Sequence, residues 1–394
     1  MSEDLSEVKR DVRVQADVSA RLITHLRDDT TDLADQDLHV PIEHFVSPVR
    51  AKAEIALMKT LPLLVAHCSE IPNAGDFVTR EVLGVALLIV RQSAGGVQAY
   101  LNMCRHRGGR VETKPSGSKR VFMCQYHGWS YERDSGALRN VPYESSFDQI
   151  DRGCNGLHRY KTEQRHGLIF VDMSNDRERS LADYLGGEVD AQITPWELEK
   201  SSIYLERTFT LDINWKLVMD GAIDILHPRF LHVGGVGELI ETNVGVYRRY
   251  GRHGQHFGAR TKLRKLIKAG VELNGGSKYI GSNLVIYPNA MMIAAPDHIE
   301  FWTVWPSIES PSKSITQIRF LVRSEILTPE IEKRLQKSWE ILENAATKED
   351  WPMERYIQQN AEAAPDGMFR YGRSEVSCQH LHLQLAADLA GNGG

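Results

Sequence analysis

The sequence predicts an α+β protein in which an all-β domain precedes a domain that combines a mostly antiparallel sheet with flanking helices. Three observations predict it. The chain has 394 residues, which is too long for one small domain. Residues 47–172 consist of short β-rich runs separated by Gly, Asn and Asp turns. Residues 173–394 alternate strands with longer helical patterns. We therefore expect an N-terminal helix and linker over residues 1–46, followed by these two domains.

Individual elements follow from periodicity. The first 46 residues are polar, but Val8, Val12, Leu22, Ile23 and Leu26 recur at helical intervals and predict one amphipathic helix. In the two domains the predicted strands are Leu61–Ala66, Val85–Val90, Leu168–Asp172, Tyr204–Leu211, Asn283–Tyr287, Ala290–Ala294, Ile299–Trp305 and Ser314–Val322. The predicted helices are Pro329–Ala346, Glu349–Ala361 and Ser377–Ala390.

Composition excludes several classes of function. With 47 basic and 52 acidic residues the net charge is −5, which gives no reason to expect nucleic acid or an anionic membrane as partner. No apolar run approaches 18 residues and residues 1–30 are charged throughout, so we expect neither a membrane span nor a secretory signal. Cys68, Cys154 and Cys378 show no regular spacing, which favours free thiols in a reducing cytoplasm. No G-x-G-x-x-G motif occurs, so NAD(P)H would be bound by another polypeptide.

Two short segments carry the most informative motif. Cys104 and His106 form C-x-H, and Cys124 and His127 form C-x-x-H. Two thiolates and two imidazoles can hold a [2Fe–2S] cluster, with both Cys on one iron and both His on the other. Such a cluster has a potential of about −150 to +300 mV, against about −400 mV for an all-Cys plant-type cluster. The motif thus predicts a one-electron carrier at mild potential.

A structural zinc ion is the alternative, because Cys₂His₂ is also a zinc ligand set. Zinc fingers usually pair two cysteines in one segment and two histidines in the other. Here each segment supplies one Cys and one His, which favours the cluster.

A second candidate metal site lies in the segment from Asn214 to His232. Asp224 and His227 are three residues apart and would share a helix face. His227 and His232 would lie about 140° apart on an ideal helix. If both bind one ion, the helix must break or bulge between them, and Pro228 favours such a break. The alternative is two unrelated histidines on a partly buried helix.

Both segments, CRHRGG…CQYHGWSY and the helix that begins Asn-Trp-Lys-Leu, resemble those of the Rieske non-haem iron oxygenases, the aromatic ring-hydroxylating oxygenase α-subunit family. The resemblance covers about residues 47–390. It implies a Rieske [2Fe–2S] domain and a catalytic domain of helix-grip type. It also implies a mononuclear Fe(II) held by two His and one carboxylate, with the opposite positions open.

The resemblance also implies roles for acidic residues. Asp350 matches the family's carboxylate ligand, with Glu349 or Glu354 as the fallback, although an acid at a helix start is also favoured by the dipole alone. Asp224 would bridge His227 of one subunit to His127 of the next and carry the electron path. Asp220 is a candidate for the substrate pocket, or equally an exposed helical residue.

The activity implied is that of the oxygenase component of a multicomponent enzyme that hydroxylates an aromatic substrate with O₂. A reductase, with or without a ferredoxin, would supply electrons from NAD(P)H, and the subunits would form a homotrimer, with or without a β-subunit. The alternatives are a monooxygenase or demethylase of the same superfamily, and a pure electron-transfer protein. Residues 248–268 carry eight Arg and Lys and no acid, which predicts either a loop that recognises a substrate carboxylate or a solvated or ferredoxin-docking face.

Overall fold

The computed structural model describes residues 16–174, 178–271 and 279–391. These residues form two compact units. We call residues 58–184 with 198–202 the β unit, and residues 16–57, 185–197 and 203–391 the α+β unit, each without the undescribed positions. The domain boundaries expected at 47 and 173 remain a prediction about the family domains, since the compact units divide the chain at other residues.

The β unit consists of a seven-stranded and a three-stranded sheet. The larger sheet has the order β2-β11-β10-β5-β4-β3-β6 and the smaller the order β7-β8-β9. Their bounds are β2 Pro62–His67, β3 Asp76–Val82, β4 Val85–Arg91, β5 Val97–Leu101, β6 Ser116–Ser118, β7 Val121–Met123, β8 Ser130–Glu132, β9 Leu138–Asn140, β10 Arg159–Arg165 and β11 Leu168–Asp172. Its core includes Phe77, Tyr100, Phe122, Cys104 and Cys124, so the predicted cluster cysteines are part of a packed interior.

The α+β unit is built on a seven-stranded sheet in the order β12-β18-β17-β16-β15-β14-β13, in which every described pairing is antiparallel. Its strands are β12 Ser201–Leu211, β13 Ile240–Tyr250, β14 His253–Arg260, β15 Ile280–Ile286, β16 Ala290–Ala294, β17 Ile299–Pro306 and β18 Ser314–Arg323. A separate pair joins β1 Leu38–Pro41 to β19 Met368–Tyr371.

The helices are α1 Ala16–Asp28, α2 Pro48–Met58, α3 Leu181–Ile193, α4 Trp215–Ile223, α5 Pro228–Leu231, α6 Thr261–Lys268, α7 Pro329–Asn344, α8 Trp351–Ala363 and α9 Val376–Leu389. The predicted fold class is confirmed, because an all-β unit accompanies an antiparallel sheet with helices. No helix within the described ranges is both long and apolar enough to cross a membrane.

The predicted N-terminal amphipathic helix corresponds to α1. Its buried residues Val18, Leu22 and Leu26 recur every four positions and pack with residues of β13, β14 and α6. Burial of this stripe attaches α1 to the α+β unit, because apolar area removed from water is the main source of such packing energy. Val8 and Val12 lie outside the described residues.

Candidate metal centres

The two predicted cluster segments are loops with the same hydrogen-bonding pattern. In the first, Gly108 N–H donates to Cys104 O at 2.9 Å, and in the second Gly128 N–H donates to Cys124 O at 2.9 Å. Gly108 and Gly128 have φ values of 76° and 75°, which glycine adopts without strain. Each tight turn therefore presents one cysteine and, two or three residues on, one histidine.

The sulfur atoms of both cysteines are in closely packed surroundings. Cys104 and Cys124 are buried, and a Cβ added to Gly109 would lie 3.5 Å from Cys124 Sγ, so backbone closely surrounds this sulfur. Tyr131 Oη lies 3.2 Å from Cys104 Sγ and also accepts the Arg105 N–H at 2.9 Å. Burial raises the pKa of the Cys104 thiol. Iron would displace that proton, since only the thiolate binds metal.

The two histidines differ in which ring nitrogen is available. His106 stacks on the buried Trp129 at 5.1 Å between ring centroids, and its Nδ1 is buried without a hydrogen-bond partner. In His127 the Nε2 atom lies 2.8 Å from Arg107 Nη2. In His106 the nitrogen without a partner is Nδ1, and in His127 the nitrogen already in contact with a side chain is Nε2. Both observations indicate Nδ1 as the atom that would bind the metal, which fits an iron–sulfur cluster.

The geometry also separates the cluster from the zinc alternative. Four ligands of one zinc ion have donor atoms within a few ångströms of one another. Among the described residues, His227, His232 and Asp350 are the set of three or more His, Cys, Asp or Glu side chains whose donor atoms all lie within 4.8 Å. No three of the four loop residues have donor atoms that all lie this close together. This is expected of ligands shared between two irons, with two ligands on each.

The second predicted site brings three donor atoms to one point. His227 Nε2 and His232 Nε2 lie 3.1 Å apart, and Asp350 Oδ1 lies 3.6 Å from the former and 3.2 Å from the latter. Atoms bound at roughly right angles to one ion at about 2.1 Å would lie about 3.0 Å apart. The spacing fits a facial triad with open positions.

The local chain explains why His227 and His232 can converge. The Asn214 side chain accepts the Lys216 N–H and starts α4, which ends at Ile223 because Asp224 has extended dihedrals (φ −70°, ψ 139°). The single turn α5 then separates His227 from His232, and Pro228 occupies its first position. The helix thus breaks before His227 and again after α5. The expectations that Asp224 and His227 share a helix face and that the break lies between the histidines are wrong.

A carboxylate holds each histidine by its other nitrogen. Asp224 Oδ2 lies 2.9 Å from His227 Nδ1, and Glu349 Oε2 lies 2.6 Å from His232 Nδ1. Accepting the Nδ1–H in this way fixes the tautomer in which Nε2 is free to bind metal. Burial raises the pKa of Asp224, but hydrogen bonds from His227 and the Leu226 N–H outweigh burial and lower it overall. Asp224 is therefore an ionised acceptor.

Asp350 comes from a segment with unusual backbone. Residues Ala345–Asp350 form one π-helical turn between α7 and α8, and such turns are frequent at functional sites. The wide turn lets two successive acids, Glu349 and Asp350, both reach the histidine pair. Of the two fallback ligands, Glu349 contacts the outer nitrogen of His232 rather than its Nε2.

Glu354, the other fallback, lies one helical turn after Asp350 and packs against Gly221 of α4. Its Oε2 is buried without a hydrogen-bond partner. Burial, together with the charges of Asp350 and Asp220, raises the pKa of Glu354 well above its ordinary value. It is not among the donor atoms that converge with His227 and His232.

Asp220 is buried, so its interpretation as an exposed helical residue is wrong. Its carboxylate accepts hydrogen bonds from Tyr371 Oη at 2.6 Å and His382 Nε2 at 2.9 Å. These partners come from β19 and α9, so the C-terminal segment covers the same end of α4 that precedes Asp224.

The basic segment 248–268 is not a loop. It comprises the end of β13 and all of β14 and α6. Three of its arginines have acidic partners in other elements: Arg248 pairs with Asp17, Arg252 with Asp388, and Arg264 with Asp29 and Glu241. These charges hold α1 and α9 against the sheet.

Two models of known protein families match the chain, and each matched range includes one of the two candidate sites. A model of the Rieske [2Fe–2S] domain matches residues 62–160, which include all four cluster candidates. A model of the ring-hydroxylating α-subunit catalytic domain matches residues 193–391, half of the chain. The chain belongs to this family. Membership confirms the resemblance seen in the two motifs and, at the level of the family, the enzyme class of Rieske-type oxygenases. It implies a [2Fe–2S] cluster and a mononuclear iron.

Individual relatives include both dioxygenases and monooxygenases. The biphenyl 2,3-dioxygenase α-subunit of Rhodococcus jostii is 29% identical over 272 residues, 64% of this chain and 53% of that protein. The glycine betaine monooxygenase oxygenase subunit of Chromohalobacter salexigens is 29% identical over 179 residues, 45% and 39% of the two chains. The chain thus spans about half the length of the curated relatives it matches, or less.

The fold is also that of a solved Rieske oxygenase. A quaternary ammonium Rieske monooxygenase in complex with L-carnitine superimposes with a TM-score of 0.75 at 18% identity, over 91% of this chain and 96% of that one.

Sequence reasoning did not assign several contacts at the two sites. Tyr131 stands inside the quoted CQYHGWSY segment and Glu349 stands beside Asp350, so both could have been found as hydrogen-bonding neighbours of ligands. Arg107 had a signal too, as a cation beside a cluster loop. Tyr371 and His382 had none, because their link to Asp220 depends on packing between segments about 150 residues apart.

Proposed function

We propose that this protein is the oxygenase component of a multicomponent Rieske non-haem iron oxygenase that hydroxylates a small aromatic substrate. Dihydroxylation would consume one arene, one O₂, two electrons and two protons and give a cis-dihydrodiol. A separate reductase, with or without a ferredoxin, would pass electrons from NAD(P)H one at a time. None of the five cysteines, all of which lie among the described residues, forms a disulfide, which suits a cytoplasmic location.

In this proposal Cys104, His106, Cys124 and His127 hold the cluster, and His227, His232 and Asp350 hold the iron. When bound, the two centres would supply electron storage and O₂ activation. Asp224 and Glu349 orient the two iron-facing imidazoles.

The observation that carries the proposal is the convergence of two Nε2 atoms with a carboxylate oxygen of Asp350, which lies more than 100 positions further along a chain that also has the cluster loops. A pure electron-transfer protein needs only the β unit. It has no use for a second ligand set with a carboxylate on each outer imidazole nitrogen.

The electron route in this proposal crosses between subunits. Asp224 holds His227 through one oxygen and has lone pairs left, so it can also accept a hydrogen bond from His127 of a second copy of this chain. Each cluster would then serve the iron of its neighbour, and closure of such a head-to-tail contact gives a ring, for which we propose a homotrimer. A β-subunit is compatible with this arrangement.

Monooxygenation or demethylation is the second candidate. It uses the same ligands, consumes the same two electrons and two protons, and releases one oxygen atom as water. Its support is the similarity to a glycine betaine monooxygenase subunit. The basic segment gives little support to recognition of a substrate carboxylate, since three of its arginines pair with acids of this chain.

Product analysis under ¹⁸O₂ tests the proposal. The purified protein is supplied with an NADH-driven reductase and a ferredoxin, and is offered neutral arenes, aromatic acids and quaternary amines in separate reactions. Two labelled oxygens in one product molecule establish dioxygenation, and one label with labelled water establishes monooxygenation. Three irons and two acid-labile sulfides per chain are expected. Two irons per chain, with no labelled product from any substrate, would favour the electron carrier.

A further inference from the structure

The exposed end of the cluster loops carries an arginine that the proposed function leaves unused. Arg107 is solvent-exposed, and its guanidinium lies over the ring of Tyr126 at 4.7 Å. The Tyr126 ring in turn lies 3.8 Å from the His127 ring, between centroids. Arg107 Nη2 is 2.8 Å from His127 Nε2. Two contacts thus hold one cation beside the outermost cluster ligand.

This arrangement lacks an acceptor once the cluster is bound. A neutral imidazole that binds iron through Nδ1 carries its proton on Nε2 and is a donor there. A guanidinium has five N–H donors and no acceptor. Two donors that face each other at hydrogen-bond distance are satisfied only by an acceptor shared between them. A carboxylate fits best, because its two oxygens can accept from both groups and its charge matches the cation.

We infer that Arg107 is a positioning residue that clamps the bridging carboxylate, Asp224 of a second copy of this chain, against His127. The inference rests on the proposed inter-subunit route. One Asp224 oxygen would accept the Nε2–H of His127 and the other the N–H of Arg107, while the contact of Asp224 with His227 remains.

Features of Asp224 suit this role. Its side chain is partly exposed at 19%, although its carboxylate is engaged by His227 Nδ1 and by the Leu226 N–H. A carboxylate has about four lone-pair sites, and the Leu226 N–H, the His227 ring and, at 3.2 Å, the His227 backbone N–H occupy three of them. One site is therefore open, and a second opens when the long contact with the His227 backbone N–H is given up. The exposed rings of Tyr126 and Tyr143, at 66% and 86%, and the half-exposed Met123 give the same end of the β unit an apolar surface that a second copy can cover.

The test is a double-mutant cycle on the holoenzyme with Arg107→Gln, Asp224→Asn and the pair. The cluster is reduced anaerobically, and its reoxidation after mixing with O₂ is followed by absorbance at saturating substrate. Arg105→Gln is the matched control. Arg105 is an exposed arginine of the same loop, but it is Arg107 that contacts the His127 imidazole. Sedimentation at several salt concentrations measures subunit association independently of turnover.

We expect Arg107→Gln to slow reoxidation by about 10- to 100-fold, as loss of an outer partner of a metal ligand typically does. Arg107→Lys should retain part of the rate, since it keeps the charge but loses the planar fork. In the Asp224→Asn background, Arg107→Gln should add less than about threefold, because both residues act through one hydrogen-bonded unit. Arg107→Gln should also weaken association and reduce its salt dependence, while Arg105→Gln changes neither.

The results that would overturn the Arg107 clamp differ from the result that would overturn the inter-subunit electron route. If Asp224→Asn slows reoxidation but Arg107→Gln does not, or if the Arg107→Gln effect is as large in both backgrounds, the clamp is wrong and the route stands. If Asp224→Asn reoxidises at the unmodified rate, the route itself is wrong, and the clamp with it. If Arg107→Gln instead slows only reduction of the cluster by the reductase, Arg107 docks the reductase and the clamp is wrong.

Discussion

The two proposed metal centres use different nitrogens of the imidazole ring, and the remaining ring nitrogens have neighbours of opposite charge. At the iron site Nε2 faces the metal, and Asp224 and Glu349 accept from the outer Nδ1 atoms. At the cluster the metal-facing atom is Nδ1, and the outer Nε2 of His127 has a cation, Arg107, beside it. An imidazole that already has an anionic partner is complete within its own chain. An imidazole with a cationic neighbour still lacks a hydrogen-bond acceptor, which we propose a second copy of the chain supplies.

The difference also concerns how each site is built. Two tight loops within the 24 residues from Cys104 to His127 contain every proposed cluster ligand. The iron site needs a broken helix and a distant π turn. The cluster should therefore survive changes at the iron site, and the iron site should survive changes at the cluster.

The largest effect is expected from removing an iron ligand. His227→Ala should lower turnover by more than about a thousandfold, because the metal that activates O₂ is lost. About one iron per chain should disappear by metal analysis, with the reduced-cluster EPR signal unchanged. His106→Ala should do the reverse and remove the cluster signal while one iron per chain remains. Loss of both centres in either variant would contradict separate construction.

Asp350 and Glu349 give a finer comparison within the iron site. Asp350→Ala removes a direct ligand and should abolish iron retention. Glu349→Gln removes only the charge that holds His232 Nδ1, and should lower iron affinity by about 10- to 100-fold. Competition with a chelator measures both. If Glu349→Gln loses all iron and Asp350→Ala retains it, the two assignments must be exchanged.

At the cluster, the expected effect of Tyr131→Phe is smaller. Its hydroxyl lies 3.2 Å from Cys104 Sγ, and a hydrogen bond to sulfur stabilises the reduced, more negative cluster. A loss of about 1 kcal/mol corresponds to a midpoint potential lower by about 40 mV for one electron. Redox titration followed by EPR measures it. Tyr126→Phe, which removes an exposed hydroxyl from the second cluster loop, is the control and should leave the potential unchanged.

The smallest expected effect is a difference in pKa between a histidine of each site, measured in metal-free protein. Burial lowers the pKa of His232, but hydrogen bonds to the carboxylates of Asp350 and Glu349 outweigh it and raise the pKa overall. For His127, desolvation and the Arg107 charge lower the pKa. A raised histidine pKa stabilises the fold fully below the ordinary value of 6.5 and ceases to do so as the pH rises through the folded pKa. NMR titration should therefore find His232 above 6.5 and His127 below it; the opposite order would contradict the contrast.

The sequence was sufficient wherever the signal was local. The cluster motif and the strand Val85–Val90, observed as β4 Val85–Arg91, depend on neighbours in the chain. The carboxylate Asp350 required a family resemblance, since an acid at the start of a helix has no distinctive pattern. The helix break was expected at Pro228 but lies at Asp224. Pro228 instead occupies the first position of the turn α5, where proline is common because its missing N–H is not needed. The Tyr371 and His382 contacts of Asp220 exist only through tertiary packing.

A mixed oligomer tests the central claim, that each cluster serves the iron of another copy. His106→Ala and His227→Ala chains, each inactive alone, are co-expressed with different tags, and rings that carry both tags are isolated. In any mixed three-membered ring, one junction joins an intact cluster to a neighbouring intact iron, so about one third of the unmodified activity per ring is expected. Mixed rings that hold both kinds of centre and show no activity would contradict the inter-subunit route.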